Sequence, residues 1–182
     1  MFGKTLLVAV AFASIVAAQD RGAKRARIDV ENYMIDADVN PRTQAVAANV
    51  KIRFVPLDND ISSVSFELNN ALNVSRVVDE TGRQIPASRS SQDFTVRLNF
   101  PAPLVKGKAT TLTFSYDGRL SGQEDSPVYG IKFAALQNDF GYLMYPARWF
   151  PLNDYTIDRY TADLHITVPS GFKVIKIGRA HV

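Results

Sequence analysis

From residue 33 onward the chain reads in steps of two. Tyr33, Ile35, Ala37 and Val39 alternate with Asn32, Asp36 and Asp38, the period that puts apolar side chains on one face of a strand. Asn40-Pro41-Arg42-Thr43 predicts a turn, because asparagine bonds the backbone beyond it and proline presets φ. Residues 45–55 resume the alternation. Val46, Ala48, Val50, Ile52 and Phe54 share one face and Lys51 and Arg53 the other, so the two segments predict a hairpin. Val64, Phe66 and Leu68 then alternate with Ser63, Ser65 and Glu67, and Leu72, Val74 and Val77 open a strand that Asp79-Glu80-Thr81-Gly82 turns. Phe94, Val96 and Leu98 alternate with Thr95, Arg97 and Asn99 up to Pro101 and Pro103, which donate no ladder hydrogen bond and are expected to break it. After a turn at Lys106-Gly107-Lys108, Leu112, Phe114 and Tyr116 alternate with Thr111, Thr113 and Ser115, and Asp117-Gly118 closes that strand. Tyr160, Ala162, Leu164, Ile166 and Val168 form the last clean set, against Thr161, Asp163, His165 and Thr167. No stretch beyond the N-terminal leader repeats apolar residues at i, i+3 and i+4. Short strands at regular spacing predict an all-β, antiparallel β-sandwich. Residues 121–127 are polar and aperiodic and read as a loop.

The first residues change the compartment. Lys4 precedes an apolar run, residues 6–16, broken only by Ser14, and Val16-Ala17-Ala18 precedes polar Gln19 and Asp20. This is the layout of a signal peptide over residues 1–18. The run is shorter than the roughly 20 residues that span a bilayer. The mature protein is therefore expected to begin near Gln19, to be secreted or periplasmic, and to keep no membrane span. Residues 19–29 carry Arg21, Lys24, Arg25 and Arg27 and read as a basic linker. Nothing aromatic is interleaved there, which argues against a nucleic-acid platform. Residues 30–176 then form one domain. The 21 basic and 18 acidic residues nearly balance, and there are no cysteines. That excludes a disulfide framework, a Cys-ligated metal and a thiol nucleophile.

Catalytic chemistry is sparse. His165 and His181 are the two histidines, and no His-Glu-x-x-His, Gly-x-Ser-x-Gly or glycine-rich phosphate motif occurs. His165 lies on the polar face of its strand and reads as a surface residue. Asp36 and Asp38 share a face and read as solvated. Asn73-Val74-Ser75 matches a glycosylation acceptor. No catalytic or metal-ligating residue is assigned. The exceptional stretch runs Tyr142-Leu143-Met144-Tyr145-Pro146-Ala147-Arg148-Trp149-Phe150-Pro151-Leu152-Asn153-Asp154-Tyr155. It holds the one tryptophan, two stiffening prolines and a cluster of aromatics. Such residues suit a hydrophobic plug closing one end of a sandwich, and equally an interface, where Trp, Tyr and Arg are favoured anchors.

In order, these features resemble the N-terminal domain of aminopeptidase N-like zinc metallopeptidases, over about residues 30–176. The resemblance rests on Tyr33-Met34-Ile35-Asp36, the Asn40-Pro41 turn, Val50-Lys51-Ile52-Arg53-Phe54, and Leu112-Thr113-Phe114-Ser115-Tyr116-Asp117-Gly118. Ala147-Arg148-Trp149-Phe150-Pro151, followed by Asp154, is the most specific piece, and it leads to a strand ending in Val168-Pro169-Ser170-Gly171. The resemblance implies a saddle-shaped β domain packed on a thermolysin-like catalytic domain that follows in the chain, holds the zinc and removes N-terminal residues from peptides. It implies no cofactor in this chain. Its partners would be the absent catalytic domain and, in the parent protein, a peptide substrate. Tyr142, Met144 and Tyr145 would line the substrate pocket. Arg148 and Asp154 would fix the loop and the domain contact by charge-assisted hydrogen bonds, with Trp149 and Phe150 buried against the sandwich or the catalytic domain. Met144 stands where the family places an acidic or amide anchor for the substrate amine, and Tyr142 where it places a glutamine. Leu152 replaces a cysteine and Thr156 a proline.

The last six residues, Ile177-Gly178-Arg179-Ala180-His181-Val182, match one reading frame of a common sequencing adapter. They are read as a non-native tail that interrupts a strand over residues 172–176. Two other readings use the same residues. One is a free-standing exported sandwich that binds peptide or carbohydrate through the aromatic stretch. The other is a structural adaptor within an envelope protein.

Overall fold

The computed structural model describes residues 25–121, 132–154 and 159–176. Residues 1–18, expected to be a signal peptide, residues 19–24 of the expected basic linker, residues 122–127, Tyr155, Thr156 and the expected tail at 177–182 lie outside the described residues. Ten strands make up the fold, with a single 3₁₀ turn and no α-helix among the described residues. They are β1 (Ile28–Asn40), β2 (Ala45–Pro56), β3 (Ile61–Glu67), β4 (Leu72–Asp79), β5 (Ala87–Ser90), β6 (Thr95–Leu104), β7 (Thr110–Arg119), β8 (Ala134–Leu136), β9 (Gly141–Leu143) and β10 (Thr161–Thr167). A five-stranded sheet has the order β10-β1-β2-β7-β4, a three-stranded sheet the order β3-β6-β5, and β8 pairs with β9 alone. The all-β sandwich expected from the alternation is what the chain adopts.

The long β1–β2 hairpin is the frame. Ile35 pairs with Val50 and Ala37 with Ala48. The Asn40 Oδ1 accepts from the backbone N–H groups of Arg42 and Thr43, at 3.1 and 3.3 Å, so the asparagine fixes the turn as its chemistry predicts. β1 begins earlier than the alternation suggests. Ile28 and Val30 are buried, and a register shift between Val30 and Asn32 then moves the inward positions to Tyr33, Ile35 and Ala37. A bulge of this kind flips the parity of a strand, which hides its first turn of pattern from a strict period of two. Arg27 pairs with Asp58 at 2.7 Å, and Arg25 donates to the Asn153 and Ser65 carbonyls.

Two further features depart from the expected pattern. The ladder of β6 breaks at its prolines as expected, but the strand runs on to Leu104. Its register jumps from Ser63↔Asn99 to Ile61↔Leu104, so Pro101 and Pro103 fall in the looped-out part, where no ladder donor is required. Residues 172–176 form no strand, and Val174 and Ile175 are exposed. Alternation in sequence needs a neighbouring strand to become structure.

Among the described residues all strand pairs are antiparallel but one: β10 runs parallel to β1, with Tyr33↔Ala162 and Ile35↔Leu164 in register. The core lies between the two larger sheets. Phe66 of β3 meets Phe54 of β2 at 6.4 Å and Phe114 of β7 at 5.3 Å, all edge to face. Gly118 of β7 is a close-approach position, since a Cβ there would stand 2.0 Å from the Ala71 carbonyl oxygen. The second layer thins toward β10. Leu164, expected to face the core, is 36% exposed.

Candidate functional site

The aromatic stretch divides into a hairpin and a plug. The hairpin is β8–β9, closed by the Gln137 N–H donating to the Phe140 carbonyl at 2.8 Å. Gly141 opens β9 because a Cβ there would sit 2.6 Å from the Leu136 side chain. The strand alternation sorts the side chains. Leu143 and Tyr145 pack against the core. Phe140 and Met144 point outward, 49% and 59% exposed, with Tyr142 half-buried between them. The Met144 and Tyr145 N–H groups both donate to the Phe133 carbonyl, at 2.8 and 3.2 Å, and the Phe133 and Tyr145 rings lie 5.6 Å apart. The backbone behind the outward strip is thus fixed from the inner side.

The plug begins at the 3₁₀ turn, Pro146–Arg148. Proline suits that first position, where its missing N–H costs nothing. The Trp149 and Phe150 N–H groups both donate to the Pro146 carbonyl at 2.9 Å. The segment then lies along β3. Glu67 and Leu152 exchange backbone bonds of 2.7 and 2.9 Å, the Asn69 N–H donates to the Ala147 carbonyl at 2.9 Å, and Asn153 Nδ2 donates to the Ser65 carbonyl at 3.0 Å. Trp149 and Phe150 are buried, and Phe150 stacks edge to face on Tyr33 at 5.2 Å. The Tyr116 hydroxyl, buried in the sandwich, donates to the Trp149 carbonyl at 2.6 Å. Burial pushes the pKa of this phenol up.

Arg148 is 4% exposed. Its guanidinium lies 4.5 Å from the Phe94 ring centre and 5.4 Å from that of Tyr145, within cation–π range. Phe94 holds φ at 57° to place its ring there, a left-handed conformation that a bulky residue rarely adopts. Nη1 lies 3.4 Å from a Glu67 carboxylate oxygen, yet Nη1 and Nε make no hydrogen bond. Asp154 stands half-buried where the segment leaves β3.

The structure therefore separates residues that the sequence reading grouped. Tyr142 and Met144 are on the outer face, whereas Tyr145 turns inward and joins Arg148, Trp149 and Phe150. Phe140 belongs with Tyr142 and Met144 and escaped the sequence reading. Its shared even parity with them was the available signal.

Other polar features lie elsewhere. A cleft of about 540 Å³ is lined by Arg25, Asp58, Ser63, Asp93 and Arg97 among others, and one of about 250 Å³ by Asp36, Asp38, Asn49, Ser115 and Asp117 among others. Neither includes a residue of the aromatic stretch. His165 is exposed on its strand, with Nδ1 3.2 Å from an Asp36 carboxylate oxygen. Among the described residues no three or more His, Cys, Asp or Glu side chains gather in a way that could hold a metal ion, so the donor set here does not fit zinc.

No family model and no curated protein matches the sequence. Solved structures do. The M1 zinc metallopeptidase from Deinococcus radiodurans superimposes with a TM-score of 0.67 at 21% identity, over 80% of this chain and 34% of that one. A mutant of it bound to a Tyr-Ser-Ala substrate gives 0.66 at 20% identity, over 84% and 37%. A two-domain M1 zinc metallopeptidase mutant bound to L-arginine gives 0.63 at 19%, over 80% and 34%. The chain thus spans about a third of the length of the structures it matches. At these identities the likeness is one of fold: the all-β arrangement described above is also found within M1 zinc metallopeptidases.

Proposed function

We propose that this chain is the non-catalytic N-terminal domain of an exported zinc metallopeptidase of the aminopeptidase N type. In this reading it packs on a downstream catalytic domain and contributes a wall to the substrate pocket. The observation that carries the proposal is the outward strip of Phe140, Tyr142 and Met144, presented by a fold shared with M1 zinc metallopeptidases. Apolar side chains grouped on one exposed face suit contact with a partner or ligand. Their backbone is held from behind by the Phe133 carbonyl and the plug, which favours a fixed wall over a mobile loop.

The strip offers two aromatic faces and a thioether, with no carboxylate on the same strand face. A thioether is only a weak acceptor. The wall therefore suits apolar side chains of a peptide better than a free ammonium group. Zinc belongs to the downstream domain in this proposal, and the present chain hydrolyses nothing by itself.

Two measurements test the reading. Purified chain should release no product from amino-acid nitroanilides, with or without added zinc, and zinc-dependent turnover would refute its non-catalytic role. Sequencing the transcript past the Lys176 codon should find an open frame encoding a His-Glu-x-x-His helix. A stop codon directly after Lys176 would sink the peptidase assignment.

A further inference from the structure

Among the described residues, the five-stranded sheet ends in a strand with no partner on its outer edge. β10 pairs with β1 on one side and is the last strand of that sheet. An edge strand presents unpaired N–H and C=O groups, and proteins commonly blunt it with lysine, proline or a bulge. β10, Thr161-Ala162-Asp163-Leu164-His165-Ile166-Thr167, has no lysine, no proline and no register shift. Other edges are bridged or short. β3 is bridged by Leu152, and β4 is met at one end by Gln84. β5 is short and wholly exposed.

The order of residues in β10 is self-complementary. Two copies aligned antiparallel about Leu164 bring Leu164 opposite Leu164, Ala162 opposite Ile166, and Thr161 opposite Thr167. Asp163 falls opposite His165 on both sides of the centre. Facing residues point to the same side of a sheet. Hence the apolar pairs gather on the inner face, where Leu164 is 36% exposed and Ala162 and Ile166 are half-buried. The acid–imidazole pairs lie on the outer face, beside the Asp36 carboxylate that already meets His165. A two-fold axis through Leu164 makes the contact isologous, the closed geometry of most dimers.

We infer that β10 is a self-association edge, through which two copies of this chain join their five-stranded sheets into one continuous sheet. The partner is a second copy because the same seven residues supply both the apolar match on one face and the Asp163–His165 match on the other.

Sedimentation velocity over a dilution series reads the association directly. The wild-type chain should move from monomer to dimer as concentration rises. Leu164→Lys places like charges face to face on the axis and should raise the dissociation constant at least about tenfold, or some 1.4 kcal/mol. Its thermal unfolding should stay unchanged, which separates lost pairing from misfolding. The natural absence of cysteine permits a test of register. Leu164→Cys should oxidise to a covalent dimer, because directly opposed Cα atoms lie about 4.5–5.5 Å apart, within disulfide reach. Ala162→Cys should not, since its own copies are offset by roughly 13 Å along the strand. An equal mixture of Ala162→Cys and Ile166→Cys chains should cross-link. A wild type that remains monomeric throughout, a dimer that persists in Leu164→Lys, or Ala162→Cys cross-linking as readily as Leu164→Cys overturns the inference.

Discussion

Replacing Tyr116 by phenylalanine removes one oxygen and leaves the ring in place. That oxygen donates to the Trp149 carbonyl at 2.6 Å, and both residues are buried. The Trp149 carbonyl receives no other donor among the described hydrogen bonds. The substitution therefore leaves a buried acceptor unsatisfied, at a cost of about 1–3 kcal/mol. A domain of this kind is stable by about 5–15 kcal/mol, so the loss is a sizeable part of the total. At this length 1 kcal/mol shifts Tm by roughly 2–4 °C, which puts the fall at about 2–12 °C. Urea unfolding should show a lower midpoint with an unchanged slope, since the exposed area hardly alters. Trp149, the one tryptophan, reports the plug by fluorescence, and circular dichroism reports the sheets. The two transitions should coincide in the wild type, because the plug is part of the core. The pH dependence supplies an independent check. Burial holds the Tyr116 phenol above its ordinary value of about 10. Above that pH the unfolded chain gives up a proton that the folded chain keeps. The stability owed to Tyr116 is thus complete below about pH 10 and drains by roughly 1.4 kcal/mol per pH unit above it. Phenylalanine has no such proton, so the gap between wild type and variant should narrow above pH 10. An unchanged Tm, or a gap that stays constant through the alkaline range, would refute the assignment of this hydrogen bond.

Three further substitutions test other parts of the molecule. Gly118→Ala drives a methyl to 2.0 Å from the Ala71 carbonyl oxygen and should destabilise by about 3 kcal/mol or more, read as a lower midpoint in urea. Arg148→Met keeps the apolar stem between Phe94 and Tyr145 and removes a buried cation with two unbonded N–H groups. Its ion-pair partner Glu67 is one-third exposed and stays hydrated, so stability should change by less than about 1 kcal/mol, whereas Arg148→Ala should lower the midpoint. Met144→Glu, on the exposed strip, should change stability by less than about 0.5 kcal/mol, and in a catalytically complete parent it should improve use of substrates with a free α-amine, measured as kcat/KM on matched peptides.

How much of this was legible beforehand depended on whether a residue's fate was set locally. The β1–β2 hairpin was readable because Asn40-Pro41 fixes the turn and the flanking side chains alternate without interruption. β8 was not readable, since Ala134, Ala135 and Leu136 are all buried and a strand covered on both faces shows no alternation. β5 carries no apolar face at all and exists only because β6 pairs with it. The passage of β6 through Pro101 and Pro103 depends on where β3 lies opposite, which no local rule contains. The direction of β10 is likewise a tertiary fact, as its pattern is the same whether it runs parallel or antiparallel. In the candidate site the chemistry of the stretch was visible, and its partition was not. Tyr142 and Tyr145 differ by an odd number of residues, so a strand must send them to opposite faces. The resemblance groups them on one pocket loop instead.

That partition explains how one stretch can be plug and surface together. Tyr145, Trp149 and Phe150 share the burial of the core, and the backbone bonds to Glu67, Asn69 and Phe133 tie their segment to the sandwich. Phe140, Tyr142 and Met144 make no comparable demand on folding, because they ride on the outer face of a strand already fixed from within. Core packing and the exposed strip are therefore supplied by different residues of one short segment. Changes at 140, 142 and 144 alter the exposed strip at little cost to the fold. Changes at 145, 149 and 150 reach the fold first, and the strip only through the support it rests on.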